Sequence, residues 1–569
     1  MNSSLEKKIE NIYGKDSLWK LSFKTVLPSL LLTLLFGIYI FVDQILIVNL
    51  VPQDGHNYIE IFFAENNKLD LYKRVSEYIA SNSSTTLSVS NNISDFIAYP
   101  TSNLIGPFSL IILSFGYLIS AGGAVLFSKS LAIKNEDLQK KVVWNSFYWT
   151  IVFGIVATII MIFIQTPILT SMTSLNLTIT DVKGNNPNNL TVNELNQYFR
   201  TYYQGTVDQA NKYIYWINGG ILFSCLTNLF IFYLRAEGKN LWVTLIGIFA
   251  NLLNIVLDVI LLHVVKTGIM GGGIATFTGQ LVNLTLLLSY LLFLNLKDKT
   301  TIRFSILKFN KKIINFKILF TSVLLGSSTF LRELTLAIAN IVYVPVFMNT
   351  LGTLNGEALQ SYASIIASPI YNLFFFSIFG IIDGMRPIIS YNYSQKNYER
   401  VKLAFWIGLS SSLAYSFLVI SLVFSIIPYN DTLLPLLNAK NDFDKNNLFT
   451  LLLSMMWQFP FLSLSVGGLA LFQSANKKIA NVILSIMQGA ITFYPILYIM
   501  SSIALATHTV NVMIFTGFTN ILISSLIIFC FSLFFISLFK NNKIEKYEEK
   551  WKNIFNKISK NHATLLDVE

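Results

Sequence analysis

Residues 241–262 read LWVTLIGIFANLLNIVLDVILL, an apolar stretch long enough to cross the roughly 30 Å hydrocarbon core of a bilayer as a helix. Asn254 and Asp258 lie within it, four residues apart and therefore on one face of that helix. A carboxylate inside a bilayer is costly unless it faces protein or water, and such residues usually have a function. The stretch therefore predicts a membrane-spanning helix with a functional polar face.

The composition extends this prediction to the whole chain. Of 569 residues, 53% are hydrophobic and only 12% are charged, whereas about 25% are charged in an average soluble protein. The mean hydropathy is +0.57. These values favour an all-α integral membrane protein. Cys225 and Cys530 fall in separate apolar segments, so we expect neither a disulfide framework nor a cysteine metal site.

Apolar segments of membrane length recur from one end of the chain to the other and predict twelve transmembrane helices. They cover residues 25–50, 104–132, 142–168, 212–234, 241–264, 271–296, 318–349, 359–393, 401–427, 448–474, 479–503 and 510–539. Several are longer than a bilayer requires, which implies tilted helices or helices that extend beyond it.

The basic residues predict the orientation, because the cytoplasmic loops of membrane proteins are enriched in Lys and Arg. Most of the 41 Lys and Arg residues lie before the first predicted helix, in the loops on that same side, and after the last helix. This favours a multi-pass plasma-membrane protein with both termini in the cytoplasm, and it explains the net charge of +11 without a nucleic-acid partner. The predicted parts are a cytoplasmic amphipathic N-terminus (1–24), a first lobe (25–296), a cytoplasmic basic linker (297–317), a second lobe (318–539) and a cytoplasmic basic tail (540–569).

Two long polar loops, 51–100 and 171–211, are predicted on the opposite side of the membrane. Both are rich in Asn, Ser and Thr, as in SNSSTTLSVSNNISD at 81–95. We interpret them as flexible surface elaborations, since long polar connections usually lie on the surface. The alternative is a small extracellular cap or docking surface.

The two predicted lobes contain a repeat. Residues 106–140 and 368–402 align at a constant offset of 262 residues. The offset matches Pro107 with Pro369, Gly122 with Gly384, and Ser128 with Ser390. Because both segments follow the same number of helices within their lobes, the lobes share one orientation and are predicted to be pseudo-symmetric six-helix units. Such duplications are typical of alternating-access transporters, whose substrate site lies between the repeats.

Several motifs form an ordered set along the predicted helices. They are Pro28 with Phe41-Val42-Asp43, Gly122-Gly123 with Ser128-Lys129, Arg235-Ala236-Glu237-Gly238, Asn254 with Asp258, GGGIAT at 271–276, and Arg386-Pro387 ahead of Asn397. With these motifs the chain resembles, from about Pro28 to Lys540, the multidrug and toxic compound extrusion (MATE) family of the multidrug/oligosaccharidyl-lipid/polysaccharide exporter (MOP) superfamily. The resemblance implies a monomeric secondary transporter rather than an enzyme. It implies no cofactor, and the export of amphiphilic, often cationic compounds in exchange for H⁺ or Na⁺.

The resemblance also implies a cation-coupling site in the first lobe. Asp43 follows Pro28 on the first helix, where a proline frees a backbone carbonyl and permits a kink. Asp43 and Asp258 would be two carboxylates in one dry cavity. Mutual repulsion and desolvation disfavour two charges there, so the pair would hold a proton or Na⁺.

Other polar residues match positions of the same cluster in the family: Asn254, Thr276 and Asn228. Each of them has an alternative role as a structural hydrogen bond between helices. Either Tyr213 or Tyr215 would complete the cluster.

The second lobe differs from the family, because its helices carry Arg332 next to Glu333, and Asp383 three residues before Arg386. Charges within a membrane usually pair, so we expect a buried salt-bridge cluster that fixes or gates this lobe. The alternative is a second ion or anion site with Glu333 as the coupling acid.

Other functional classes remain to be weighed against a multidrug antiporter. A flippase for a lipid-linked oligosaccharide or a cell-envelope precursor would need a cationic cavity, which Arg332 and Arg386 would partly supply, whereas Asp43 and Asp258 argue against it. A membrane enzyme is not favoured, since no Walker, HExxH or GxSxG motif is present. A channel would not predict a repeat that is broken by asymmetric acids, so it is not favoured either.

Overall fold

The computed structural model describes residues 10–50, 58–81, 99–173, 186–303, 314–354, 367–437, 439, 441–540, 543–546 and 549. Throughout these residues the regular structure is helical, without a strand. The prediction of an all-α membrane protein is confirmed.

The first half of the chain, up to Leu296, contains nine described α-helices. They are α1 (Leu18–Leu50), α2 (Tyr58–Glu65), α3 (Leu69–Ser81), α4 (Tyr99–Ala132), α5 (Glu136–Thr173), α6 (Val192–Gly219), α7 (Ile221–Ala236), α8 (Asn240–Val259) and α9 (Ile269–Leu296). Wider π-helical turns precede α1 at Asn11–Lys15 and extend α8 at Ile260–Val264.

The second half contains ten described α-helices. They are α10 (Phe316–Leu354), α11 (Ser368–Ser394), α12 (Tyr398–Ile426), α13 (Leu433–Leu436), α14 (Asp442–Met456), α15 (Gln458–Ser474), α16 (Lys478–Ile486), α17 (Phe493–Thr507), α18 (Asn511–Ile514) and α19 (Thr516–Ser537). A 3₁₀ turn follows α12 at Ile427–Tyr429, and a π-helical turn joins α16 to α17 at Met487–Ile491.

Eleven helical segments of the described chain are long and apolar enough to cross a membrane. The pair α6 and α7, bent by 44° at the junction between Gly219 and Ile221, provides a twelfth when it is counted as one span. With that pair the predicted number of spans is reproduced, six in each half.

The prediction of a loop over 171–211 is wrong from Val192 onward, because α6 begins there. Its first turn is fixed by a capping box: the Glu194 backbone N–H donates to Thr191 Oγ1 at 3.2 Å, and the Thr191 N–H donates to Glu194 Oε2 at 2.8 Å. Residues 192–211 are polar, so they carry no hydropathy signal although they continue the helix of the fourth span. Residues 174–185 lie outside the described part of the chain.

The predicted loop 51–100 contains two helices that form a small cap on α6. Phe63 of α2 and Val75 of α3 are fully buried, and the Phe63 ring lies 5.1 Å from the Tyr198 ring of α6. Arg74 adds an ion pair to Glu194, with Nη2 and Oε1 2.7 Å apart. Over 58–81 the prediction of a flexible elaboration is therefore wrong, because these residues fold into helices packed on α6, whereas an extracellular position or a docking role for them stays a prediction. Residues 51–57 and 82–98 lie outside the described residues.

The two halves meet through two helix pairs, α4 with α10 and α1 with α11, which pack more extensively than other described pairs. Glycines allow the backbones to approach closely. A Cβ on Gly384 of α11 would lie 2.8 Å from Val26 Cα of α1, and one on Gly122 of α4 would lie 2.6 Å from the Gly326 nitrogen of α10. Gly122 and Gly384 are the glycines matched by the 262-residue offset, so equivalent positions make equivalent contacts with the first span of the opposite half.

The segment before α1 bridges the two halves at the end of the bundle where the chain begins. Tyr13 is buried and its hydroxyl donates to the Arg235 carbonyl of α7 at 2.8 Å. The Asn392 amide of α11 donates to the Tyr13 carbonyl at 3.1 Å, and Arg400 Nη2 of α12 donates to the Asp16 carbonyl at 2.9 Å. The described part of the predicted amphipathic N-terminus is thus packed between the halves, and α1 starts before the predicted residue 25.

The start of the predicted basic linker folds back onto the first half. Thr300 Oγ1 and the Thr301 N–H donate to the Glu237 carboxylate at 2.8 Å and 2.7 Å, and Lys239 completes the buried cluster. These contacts tie the chain after α9 to the end of α7. Residues 304–313 of the linker, and most of the basic tail after Lys540, lie outside the described residues.

Candidate ion and substrate cavity in the first half

A cavity of about 210 Å³ lies inside the first half of the bundle. Its walls come from α1, α4, α6, α7, α8 and α9, and Asp383 of α11 is the contribution of the second half. A substrate site between the halves stays a prediction, since this cavity is lined almost entirely by the first half.

Asp43 and Asp258 form the acidic end of this region. Asp43 is 4% exposed and lines the cavity, and Asp258 is fully buried. The Tyr213 hydroxyl of α6 donates to Asp43 Oδ2 at 2.8 Å. Asp43 Oδ1 and both Asp258 carboxylate oxygens have no hydrogen-bond partner among the described residues. Such oxygens are expensive to bury as charges, so this end suits a proton or a cation with oxygen ligands.

Asn254 and Thr276 extend the polar surface around the two acids. The Thr276 hydroxyl is 2.7 Å from the Tyr39 hydroxyl of α1. Asn254 is buried on the same face of α8 as Asp258, and its Oδ1 has no partner among the described residues. The carbonyl of Asn254 is therefore a free acceptor close to the acids.

Two glycines of α9 make room for these side chains. A Cβ on Gly272 would lie 3.0 Å from Tyr213 Cε2 and 3.2 Å from Asp43 Oδ1. A Cβ on Gly279, two turns later on the same face, would lie 3.0 Å from Asn254 Nδ2. The glycine-rich stretch of α9 therefore lets a helix backbone form one wall of the acidic end.

The structure distinguishes between the two candidate tyrosines of α6. Tyr213 is 3% exposed and bonded to Asp43, whereas Tyr215 is 54% exposed on the outer surface. Sequence reasoning missed Tyr39. Its signal is its position four residues before Asp43, which places both on one face of α1.

Asn228 and Pro28 lie near the cavity but outside the cluster of bonded side chains. Asn228 lines the cavity, yet its amide donates to the Ser224 carbonyl of its own helix at 3.0 Å. Pro28 lies inside α1, and its carbonyl accepts from the Thr244 hydroxyl of α8 at 2.9 Å. A proline-dependent bend of α1 stays a prediction.

The four second-half charges are buried in two pairs. Arg332 Nη2 is 2.5 Å from Glu333 Oε1, and Arg386 Nη1 is 2.9 Å from Asp383 Oδ1. The Arg332 guanidinium also lies 4.2 Å above the Phe379 ring. Of these four residues Asp383 alone lines the cavity, so the structure places Glu333 away from it.

Arg235 also lines the cavity. It belongs to the motif Arg235-Ala236-Glu237-Gly238, but the sequence alone predicted no role for it. It lies in the last turn of α7, is 3% exposed, and lines the cavity at the end farthest from Asp43, where its backbone meets Tyr13. Within the described residues no carboxylate lies within 4 Å of its guanidinium, although Asp383 is near enough to attract it electrostatically.

The donors of the acidic end are oxygens. The described residues hold no group of three or more His, Cys, Asp or Glu side chains that could bind a metal ion. Two carboxylates, an amide and hydroxyls suit a proton or a hard monovalent cation as cargo rather than a resident transition metal.

Comparison with known proteins places this geometry in context. No protein-family model matches the chain. It is 26% identical over 566 residues to the uncharacterized protein MG447 of Mycoplasma genitalium, covering 95% of this chain and 97% of that protein. It is also 26% identical over 526 residues to the MG447 homolog MYCGA2290 of Mycoplasmoides gallisepticum, covering 89% and 87%.

Solved structures give a clearer result. One is a multidrug resistance MATE family transporter of the MOP superfamily in an outward-facing conformation, which matches with a TM-score of 0.66 over 94% of this chain and 99% of that chain, at 16% identity. This chain has the MATE fold. A MOP superfamily transporter from Pyrococcus furiosus, described by the reverse polarity of its binding pocket, matches with a TM-score of 0.65 over the same shares and at the same identity. The likeness confirms the predicted resemblance at the level of the MATE fold.

Proposed function

We propose that the chain is a secondary active transporter that exports amphiphilic compounds in exchange for H⁺ or Na⁺ by alternating access. It would act as a monomer in the plasma membrane, with both termini in the cytoplasm. The observation that carries this proposal is the acidic end of the cavity, where Asp43 and the nearby Asp258 have carboxylate oxygens without partners among the described residues, inside a MATE fold.

The two carboxylates would act as the coupling group. Two ionised acids in a dry site repel each other, so at least one proton or one cation stabilises the pair. Tyr213 holds Asp43 in place from α6, and Asn254 offers a further oxygen from α8. Binding and release of the cation therefore change the charge of this end of the cavity, which is the differential interaction that a population shift requires.

The helix α1 would carry that change to the interface between the halves. It holds Asp43 in its second half, packs on α8 within the first half of the chain, and forms one of the two large contacts across the halves with α11. Movement of α1 on cation release would therefore reach both sides of the seam. Pro28, which lies between the start of α1 and Asp43, would provide the bending point.

Arg235 favours a second candidate, a flippase of the same superfamily that carries a lipid-linked oligosaccharide or another cell-envelope precursor. A buried guanidinium at the end of the cavity suits a phosphate-bearing substrate. The first candidate is preferred because the acidic end has no counterpart in a purely anion-binding cavity.

Ethidium efflux from proteoliposomes under an imposed gradient tests the exchange. The wild-type protein is expected to accelerate efflux only when an inward H⁺ or Na⁺ gradient is present, and exchanging one ion for the other identifies the coupling ion. Asp43→Asn and Asp258→Asn should abolish the gradient dependence. Asp70→Asn, a matched change on the exposed face of α3, should leave it unchanged. Efflux that ignores the gradient in the wild type, or that keeps its gradient dependence in both cavity variants, would overturn the proposal.

A further inference from the structure

We propose that Arg235 is an anion-binding subsite, and that the compounds carried by this protein include amphiphiles with a carboxylate, sulfonate or phosphate group. This inference rests on the proposed function, because it names the substrate class of the same cavity.

The first argument is the state of the guanidinium. Arg235 is 3% exposed, its Nε has no hydrogen-bond partner among the described residues, and none of those residues forms an ion pair with it within 4 Å. Charged side chains within a membrane protein almost always pair or face a water-filled cavity. Because Arg235 lines the cavity, its missing partner would be found there.

The second argument is the balance of charge around it. Arg332 is paired with Glu333, and Asp383 is paired with Arg386. These four charges cancel, which leaves Arg235, among the described residues, as an uncompensated positive charge at this end of the cavity. The carbonyls in the last turn of α7 favour a cation at its position without neutralising it.

The third argument is the polarity of the cavity from end to end. Asp43 lines one end, close to the buried Asp258, and neither acid has a cationic partner among the described residues, whereas Arg235 lines the other end. Apolar side chains of the walls lie between them, including Phe36, Leu113 and Phe232. An amphiphile with an acidic head would be repelled by the carboxylates and attracted by the guanidinium, so its head would lie at Arg235 and its apolar body along the walls.

A purely structural role for Arg235 makes a different prediction. The α7 terminus is held through the backbone, where the Arg235 carbonyl accepts from Tyr13. The side chain makes no hydrogen bond to the described residues that would fix the helix. Removing its charge should therefore change ligand affinity more than it changes stability.

The test measures binding of two dyes to the full-length protein in phosphatidylcholine nanodiscs, after subtraction of empty nanodiscs. The dyes are 8-anilinonaphthalene-1-sulfonate and the neutral N-phenyl-1-naphthylamine, which share an aromatic body and differ in the sulfonate. Arg235→Gln is expected to weaken sulfonate binding by about tenfold or more, since a buried charge-assisted hydrogen bond is lost. Its affinity for the neutral dye should match that of the wild type.

A further variant keeps the test informative if Arg235→Gln folds poorly. Arg235→Lys retains the charge and should retain most of the sulfonate affinity. Unchanged sulfonate binding in Arg235→Gln, an equal loss for both dyes, or loss of sulfonate binding in folded Arg235→Lys would each overturn the subsite.

A lipid arm identifies the source of the anionic group. In this arm phosphatidylglycerol replaces part of the phosphatidylcholine around the wild-type protein. If the sulfonate dye is then displaced, the result supports the subsite with a lipid headgroup as its ligand. If the sulfonate dye stays bound, the result supports the subsite with a soluble amphiphile as its ligand. Failure of the ethidium assay together with the expected dye differences would reject the exchange and keep the subsite. The reverse result would reject the subsite alone.

Discussion

The most direct probe of the acidic end is a single methyl group added at Gly272. In Gly272→Ala the new Cβ would lie 3.0 Å from Tyr213 Cε2, 3.1 Å from Ile47 Cδ1 and 3.2 Å from Asp43 Oδ1. Contacts this short require the neighbours to move, and two of the three neighbours are the hydrogen-bonded pair of the candidate site. The matched control is Gly106→Ala on α4, where a Cβ would meet nothing within 4 Å.

The expected magnitude follows from two opposing effects. Replacing a glycine by alanine inside a helix stabilises it by roughly 0.5–1 kcal/mol in both variants. Overpacking at Gly272 costs about 1–3 kcal/mol, and Gly106→Ala has no such cost. The helix contribution cancels in the comparison, so Gly272→Ala should be about 1–3 kcal/mol less stable than Gly106→Ala.

The assay is thermal unfolding of the purified proteins, with and without the coupling ion. A ligand that binds the folded state at ten times its Kd stabilises it by about 1.4 kcal/mol. Gly106→Ala should keep this ion-dependent rise in Tm, and Gly272→Ala should lose it because the methyl covers Asp43 Oδ1. The reasoning is refuted if Gly272→Ala is as stable as Gly106→Ala, or if it keeps the full ion-dependent rise.

Two other predictions concern the paired charges and the cap. Arg332→Gln or Glu333→Gln alone should destabilise the protein by roughly 3–5 kcal/mol, because each leaves a buried charge unpaired. The double variant should recover most of the lost Tm, and a double variant no better than the singles would contradict this. Replacing 58–81 by a short linker should lower Tm by uncovering Tyr198, whereas Lys73→Ala on the exposed side of α3 should not. An unchanged Tm after the replacement would show that the cap does not stabilise α6.

Much of the membrane architecture follows from local chemistry. Each span needs an apolar run of bilayer length, and hydropathy detects such runs in the sequence. Eleven of the twelve predicted segments therefore coincide with a helix of membrane length, either continuous or interrupted by a short break. The exception is the fourth span, whose α6 portion is too polar to be recognised by hydropathy. The helical period also fixed the shared face of Asn254 and Asp258 before any neighbouring helix was known.

Other features depend on contacts between distant segments. The choice of Tyr213 over Tyr215 depends on how α6 is rotated against α1, and α9 approaches closely enough only because Gly272 has no side chain. The packed cap of α2 and α3 depends on the extension of α6 beyond its apolar part. Hydropathy does not detect this extension, because its residues are polar.

Residues 241–262 by themselves determined a membrane helix with an amide and a carboxylate on one face, because helix period and bilayer thickness act locally. Only the tertiary structure decided that this face meets Asp43, Tyr39 and Thr276 around one cavity inside the first half. It also decided that Arg235 lies at the far end of that cavity without a carboxylate partner among the described residues. In sequence, an arginine at the end of a span is indistinguishable from an ordinary interfacial cation, since its partners come from helices far away along the chain.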